Sequence, residues 1–274
     1  MRYLSDFALM LLWIGGGILL ALGTYRLVRW MLPPRDSADG HHYPQAVRDM
    51  ASTTGLRIAA LFGVLLALVY AQELHRYQDV REGLSQEAAA IAEVYFEAGE
   101  LGGPAGKTIR VALADYVKLL VEVEWPELGK DHKLSLATWN AFNAAQNGAR
   151  SVEPNNLAEA AIRDAMLARL SKVADLRNIR ERQVVDGGTW VFALPAIIGL
   201  LLVTAPFFIY PPSREVWVML GAYGAFTGMI LFFIHGFASP FNHPLKVAPA
   251  PFERLLEGGF GKDASLINSG KAGA

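Results

Sequence analysis

The chain has 274 residues, and its 25 lysines and arginines nearly cancel 26 aspartates and glutamates, for a net charge of −1; that balance leaves no basic footprint for nucleic acid. It contains no cysteine, which excludes disulfides, thiolate metal sites and cysteine nucleophiles. The apolar share is 53%, above the roughly 45–50% of soluble domains, and the excess is gathered in a few runs, which points to lipid as their solvent.

The first run, residues 7–25, is uncharged between Asp6 and Arg26, close to the length of about 20 residues that crosses a bilayer. Arg26, Arg29 and Trp30 follow it instead of a small-residue cleavage site, so a retained transmembrane helix is expected rather than a signal peptide. A connection at 32–55 follows. The second run, 58–72, lies between Arg57 and Glu73. It is short for a span, but it would cross if neighbouring helices shielded it, and it continues without a breaker into a helical pattern.

Residues 73–186 have soluble composition and helical period. A helix over 87–100 carries Ala90, Ile91, Val94 and Tyr95 on one stripe, and Gly102-Gly103-Pro104 stops it. The next helix, 107–125, spaces Ile109, Leu113, Tyr116, Leu120 and Val123 by threes and fours, and Pro126 is expected to end it. A shorter helix covers 135–147. Asn156 then caps a long helix, with Glu159 three residues on as in a capping box. Its predicted apolar stripe is Ile162, Met166, Leu170, Val173, Leu176 and Ile179.

The third and fourth runs, 187–213 and 216–245, both exceed the spanning length. Pro195 and Pro206 predict kinks, which membrane helices tolerate where neighbours satisfy the freed carbonyls. Pro211-Pro212 makes the link short, so these two runs form an antiparallel pair. Gly224 and Gly228 are a small-xxx-small pair that permits close helix approach. The tail after Gly258 is rich in Gly, Ser and Lys and is expected to be disordered.

The predicted fold class is therefore all-α. Transmembrane helices one and two lie in 1–72, a soluble helical bundle in 73–186, transmembrane helices three and four in 187–245, and a C-terminal tail in 246–274. Arginines and lysines near the span ends are almost evenly shared between the two sides, so the positive-inside rule does not orient the chain.

Three stretches and a helix start carry a family likeness. They are Leu61-Phe62-Gly63-Val64-Leu65-Leu66-Ala67-Leu68-Val69 in the second run, Glu122-Val123-Glu124-Trp125-Pro126 in the bundle, and Ser239-Pro240-Phe241 with Pro251-Phe252-Glu253 after the fourth run. The helix start is Glu87-Ala88-Ala89-Ala90. In this order they resemble the bestrophin-like domain family of bacterial membrane proteins, over about residues 40–255. The likeness to bestrophins implies a homo-oligomeric ion channel, pentameric in the family it is named for. It also implies a pore lined by the second span and a cytoplasmic bundle in a bacterial inner membrane. Animal bestrophins follow Pro-Phe with an acidic run that clasps calcium. Here Asn242-His243-Pro244-Leu245-Lys246-Val247 follows. Calcium requires several oxygen ligands, usually carboxylates, so no calcium site is carried over and no cofactor or metal is expected.

Ala60, Val64, Ala67 and Ala71 fall on one face of the second run. Around an oligomer axis that face would make an apolar neck able to gate by dewetting; the other reading is tight packing on a neighbouring helix. Gln72, Glu73 and Arg76 follow at the membrane edge. Rings of Glu73 would attract cations and rings of Arg76 anions, whereas a plain three-residue ion pair is the simpler reading. Pro240, Phe241 and His243 are read as a structural junction between the fourth span and the bundle.

Asp39, His41, His42 and Tyr43 have transition-metal donors without a partner spacing that completes a site. His235 lies at membrane depth, where an ionisable group is either functional or hydrogen-bonded near the interface. Trp125 and Trp139 suit either subunit contacts or burial within the bundle. No phosphate loop, nucleophile elbow or His-Glu-x-x-His helix occurs, so enzyme activity is not expected. The expected partners are the lipid bilayer, further copies of the chain and small ions. A membrane sensor or assembly protein, whose bundle binds a ligand or partner, is the alternative.

Overall fold

The computed structural model describes residues 2–32, 43–131, 133–185 and 190–264, and every regular element among them is a helix. They form two compact units. One comprises Met1–Tyr77 with Gly188–Leu245; the other comprises Gln78–Gly187 with Lys246–Ala274.

The first unit is built on α1 (Arg2–Met31), the first part of α2 (Gln45–Leu101), α7 (Trp190–Thr204) with a 3₁₀ segment (Ala205–Ile209), and α8 (Arg214–Ala238). Residues Leu4–Met31, α2 and α8 are long and apolar enough to cross a membrane, and Leu194–Ile209 is a shorter apolar helix. Helix α1 pairs with α8 in antiparallel sense. Tyr25 packs edge-on to Trp217 at 5.8 Å between ring centroids, Trp13 lies 5.4 Å from His235, and Asp6 meets His243 at 3.3 Å. The pairing is backbone-close. A Cβ at Gly224 would stand 2.5 Å from the Gly17 carbonyl oxygen, and one at Gly228 would stand 2.3 Å from that of Trp13. The small-xxx-small pair therefore does what its spacing predicts, with α1 as its partner. Phe62 and Leu66 of α2 join Ala21, Leu200, Val203, Leu231 and Ile234 in the core of this unit.

Proline positions explain the remaining shape. Pro195 is accommodated inside α7, whereas Pro206 stands at the start of the 3₁₀ segment, where a missing N–H costs nothing. Tyr25 and Arg29 both donate to the Tyr210 carbonyl, at 3.0 and 2.8 Å, and so fasten the end of that segment to α1. The fourth run is shorter as a helix than its apolar length: α8 ends at Ala238, and Asn242 N–H closes a turn on Ser239. Helix α2 is longer than its apolar run. It starts at Gln45, directly after Pro44, inside what reads as a loop.

The second unit contains the rest of α2, α3 (Gly103–Leu119), a π-helical turn (Leu120–Glu124), α4 (Trp125–Asp131), α5 (Leu136–Arg150), α6 (Leu157–Val185) and α9 (Ala250–Glu257). Gly102 and Gly103 at φ 65° and 61° make the left-handed turn that only glycine adopts cheaply, and they separate α2 from α3. Pro126 does not end a helix. It sits in the first turn of α4, a position that suits proline, and the chain stays helical to Asp131. Asn156 does cap α6: its side-chain oxygen accepts from Glu159 N–H at 2.9 Å, and Glu159 reaches back to Asn155 N–H at 2.8 Å. Asn156→Ala is expected to cost about 1 kcal/mol and to lower Tm by roughly 2–4 °C in thermal unfolding of the detergent-solubilised protein.

The tail differs from its composition. Residues 259–264 are helical, Phe260 stacks on Tyr95 at 3.9 Å, and Asp263 accepts from Tyr95 at 2.8 Å and pairs with Arg110 at 3.1 Å. One aromatic ring and one carboxylate dock a segment whose Gly-rich setting reads as unstructured.

Candidate functional site

The open face of α2 is the first candidate. Successive residues of a helix turn by about 100°, so Ala60, Val64, Ala67 and Ala71 fall within a narrow sector. All four are exposed, Val64 to 60%. Gly63, Leu61, Leu65 and Leu68 flank them and are exposed as well. The opposite face carries the buried Phe62 and Leu66. Open faces elsewhere in the unit carry bulky side chains, such as Leu11 and Leu12 of α1, Ile198 and Leu202 of α7, and Met219 and Phe226 of α8. Two apolar clefts, of about 480 and 400 Å³, lie between α2 and α8, the larger also walled by Val203 and Pro206; small residues such as Gly55, Ala59, Gly63 and Ala67 and larger ones such as Leu56, Phe62 and Tyr70 line them on α2.

The polar residues at the end of this run do not share that sector. Gln72 and Arg76 are exposed but turned away from Ala71. Glu73 stands on the buried face, 1% exposed, with Arg76 Nη1 at 3.5 Å from one of its oxygens. The ion pair of the simpler reading is present. A two-residue step from Ala71 rotates Glu73 by about 200°, which is why it does not follow the small-residue stripe.

Of the junction residues, Pro240 and Phe241 are buried, and His243 is exposed beside Asp6. His235 is half-buried against Trp13. Asp39, His41 and His42 lie outside the described residues. Tyr43 packs edge-on to Phe208 at 5.7 Å. Among the described residues no three His, Asp or Glu side chains gather as a metal site.

The second unit holds a cluster that the apolar periodicity missed. The π turn widens the helix by one residue, so Glu124 faces inward where the stripe predicts Val123. On α6 the buried stripe runs Met166, Leu170, Val173 and then Arg177 and Arg180, both 2% exposed, while Ile179 is 41% exposed. Arg177 grips Glu124 with both terminal nitrogens, at 3.1 and 2.6 Å. Arg180 bridges Glu124 at 2.7 Å and Glu87 of α2 at 2.6 Å. Tyr116 donates to Glu87 at 2.6 Å, and Ser135 N–H donates to Glu124 at 3.1 Å. Arg177 also lies 5.6 Å from the Trp139 ring centroid.

Two carboxylates and two guanidinium groups thus neutralise one another out of water. Burial pushes the Glu87 carboxyl above the usual range, against the opposing pull of Arg180 and Tyr116. Burial and the Glu87 charge push the Tyr116 phenol up. Burial works against the Arg180 charge, yet Glu87, Tyr116 and Glu124 outweigh it and raise its pKa. Trp125 is buried beside this cluster's π turn, where its indole N–H donates to the Val247 carbonyl at 3.2 Å and its ring faces Phe252 at 6.5 Å. Trp139 stacks on Phe142. Both tryptophans therefore pack within the chain.

The bestrophin-like domain model matches residues 24–252. The crystal structure of a bacterial bestrophin homologue from Klebsiella pneumoniae, in a mutant form, superposes with a TM-score of 0.57 at 14% identity, covering 92% of this chain and 98% of that one. The crystal structure of a membrane protein variant gives 0.54 at 14% identity, covering 93% and 98%. No curated protein matches the chain in sequence. The structural likeness establishes the fold, and the domain match spans most of the sequence, including the second apolar run, Glu87, Glu124 and the Pro-Phe elements. The chain belongs to the bestrophin-like family and is an all-helical membrane protein of that fold.

Proposed function

We propose that the chain is an oligomeric ion channel that conducts passively along an axis lined by the second span. Bestrophins, which give the family its name, are ion channels, and membership of that family supports the reading. The observation that carries it is a continuous small-residue sector. Helix α2 leaves Ala60, Val64, Ala67 and Ala71 uncovered on one face, beside its own exposed Leu61, Leu65 and Leu68. Bulky groups suit lipid. Small ones suit a narrow apolar passage or a close partner helix.

In this reading four segments cross the bilayer, with α7 and its 3₁₀ continuation as the third. The bundle inserted between the second and third stands in the cytoplasm, copies of the chain ring the axis as a pentamer, and the membrane is a bacterial inner membrane. Pro240, Phe241 and His243 form the turn by which the chain leaves the fourth span. The pore-lining set rests on Ala60, Val64, Ala67 and Ala71; Gln72 and Arg76 follow them outside that sector, and Glu73 supports α2 from behind.

The test is to purify the protein in detergent, measure its mass by light scattering, and reconstitute it into vesicles loaded with salt. A ring-sized assembly that dissipates an ion gradient is expected. A monomer or dimer whose vesicles stay tight contradicts conduction and leaves the sensor or assembly role standing.

A further inference from the structure

Arg57 of α2 is a charge that the first unit leaves uncovered. It stands one residue before the apolar run 58–72, and its side chain is exposed. Among the described residues that side chain has no hydrogen bond or ion pair. Its neighbours at this end of the unit are engaged. Arg26 lies 5.1 Å from the Trp217 ring centroid, and Arg29 donates to the Phe208 and Tyr210 carbonyls at 3.4 and 2.8 Å.

Register sets the direction in which Arg57 projects. Helical residues turn by about 100° each, so a step of seven comes back to within about 20° of the same line. Arg57, Val64 and Ala71 are spaced by seven and form one line along α2. Thr53, Ala60 and Ala67 form a second line beside it, and all six residues are exposed. Arg57 therefore heads the small-residue sector, whereas Gln72 and Arg76 turn away from it.

Depth follows from the neighbouring helix. Phe62 of α2 faces Tyr223 of α8 with 6.5 Å between ring centroids. The clefts between these helices run from Ala51 and Val216 at one end to Tyr70 and Ile230 at the other, so the helices are parallel. Five residues back from the Phe62–Tyr223 contact, about 7.5 Å along the axis, Arg57 comes level with Val218. The exposed Arg214 and Glu215 mark the charged edge of α8 one turn farther out. A guanidinium one turn inside an apolar belt is costly against lipid, and it cannot escape by losing its proton.

We propose that Arg57 sets the sign of the ion that passes: one guanidinium from each copy forms a basic ring at the head of the apolar neck, which draws anions in and holds cations back. The ring exists only if α2 lines the conduction path as proposed above, and it gives that path its ion class. Asp49, exposed as well, precedes Arg57 on this side of α2. It stands about 12 Å farther out by helical rise, where water and salt screen its charge. Inside the narrow apolar passage the charge of Arg57 is screened far less.

Reversal potentials across a KCl gradient, recorded in planar bilayers from the purified full-length protein, give the chloride-to-potassium permeability ratio. The parent protein should prefer chloride. Arg57→Gln should lower the ratio by about tenfold, Arg57→Glu should invert the preference, and Arg57→Lys should keep it. Arg214→Gln, at the edge of α8, should leave the ratio as it is. A parent that prefers potassium, or an unchanged ratio in Arg57→Gln, overturns the basic ring while the channel stands. The same holds if the parent's current, but not that of Arg57→Gln, depends on anionic phospholipid at a constant ratio, because the guanidinium then serves a lipid headgroup. Absence of current from the parent removes the conduction path and the ring with it. If Arg57→Glu does not fold, the ratio in Arg57→Gln decides.

Discussion

Glu124→Ala is expected to cost about 3–5 kcal/mol, because it strands two buried arginines on the one remaining carboxylate. With Glu124 present the quartet is neutral, and among the described residues Arg177's hydrogen bonds to a carboxylate end on Glu124. Without it, among the described residues, Arg177 keeps the Ser135 carbonyl at 3.3 Å and the ring faces of Tyr116 and Trp139. A guanidinium cannot escape by losing its proton, so water must enter or the π turn must open. Chemical unfolding of the purified protein, followed by tryptophan fluorescence, measures the loss. Replacing Glu124 and Arg177 together by Leu and Met should recover much of it, since a buried ion pair is weak as a net stabiliser even though breaking one is costly. A single mutant that loses less than about 1 kcal/mol would mean that the cluster is already wet.

Gly228→Ala is expected to cost about 3 kcal/mol or more, beyond ordinary overpacking of about 1–3 kcal/mol. The added Cβ meets the Trp13 carbonyl oxygen and, at 3.0 Å, the Ile14 Cα. Both are backbone, so no rotamer relieves the contact and α1 must move as a body. Gly224→Ala meets Gly17 in the same way. Gly221→Ala is the control, because a Cβ there meets nothing within 4 Å, and it should cost nothing and gain up to about 1 kcal/mol from alanine's better helix propensity. Thermal unfolding in detergent ranks the three. Equal effects at Gly221 and Gly228 would contradict the close α1–α8 approach.

The close glycine pair was legible because the period that puts 224 and 228 on one face is local. Its partner was not, since α1 lies some two hundred positions away and adjacency in sequence suggests α7. The bundle helices were legible wherever their buried faces are apolar. That reading stops at the charged cluster for physical reasons. Arg177 and Arg180 continue the Met166–Leu170–Val173 stripe by steps of four and three, but a charged residue reads as solvated. A three-residue step from Val173 to Leu176 fits the apolar pattern equally well. The neutralising partners are 93 and 56 positions away, beyond any local period. Glu87 and Glu124 nevertheless lie inside the short motifs that carry the family likeness.

On α2 the small-residue sector was legible from spacing alone. Glu73 was grouped with it by sequence proximity, although helix rotation sets it on the far side. The docked segment 259–264 was hidden because Gly258-Gly259 and Gly261 dominate its composition, while its anchors, Phe260 and Asp263, find Tyr95 and Arg110 far up the chain.

The account rests most on the small-residue sector of α2 facing the conduction path. Single cysteines at Val64 and Ala67, in a chain with none of its own, can be modified by a charged thiol reagent while current is recorded from the purified protein in a planar bilayer. The account predicts that the reagent abolishes or sharply alters the current at these two positions and leaves it unchanged at Leu202→Cys on the exposed face of α7. A current indifferent to modification at Val64 and Ala67, or no current from the unmodified protein, would contradict it.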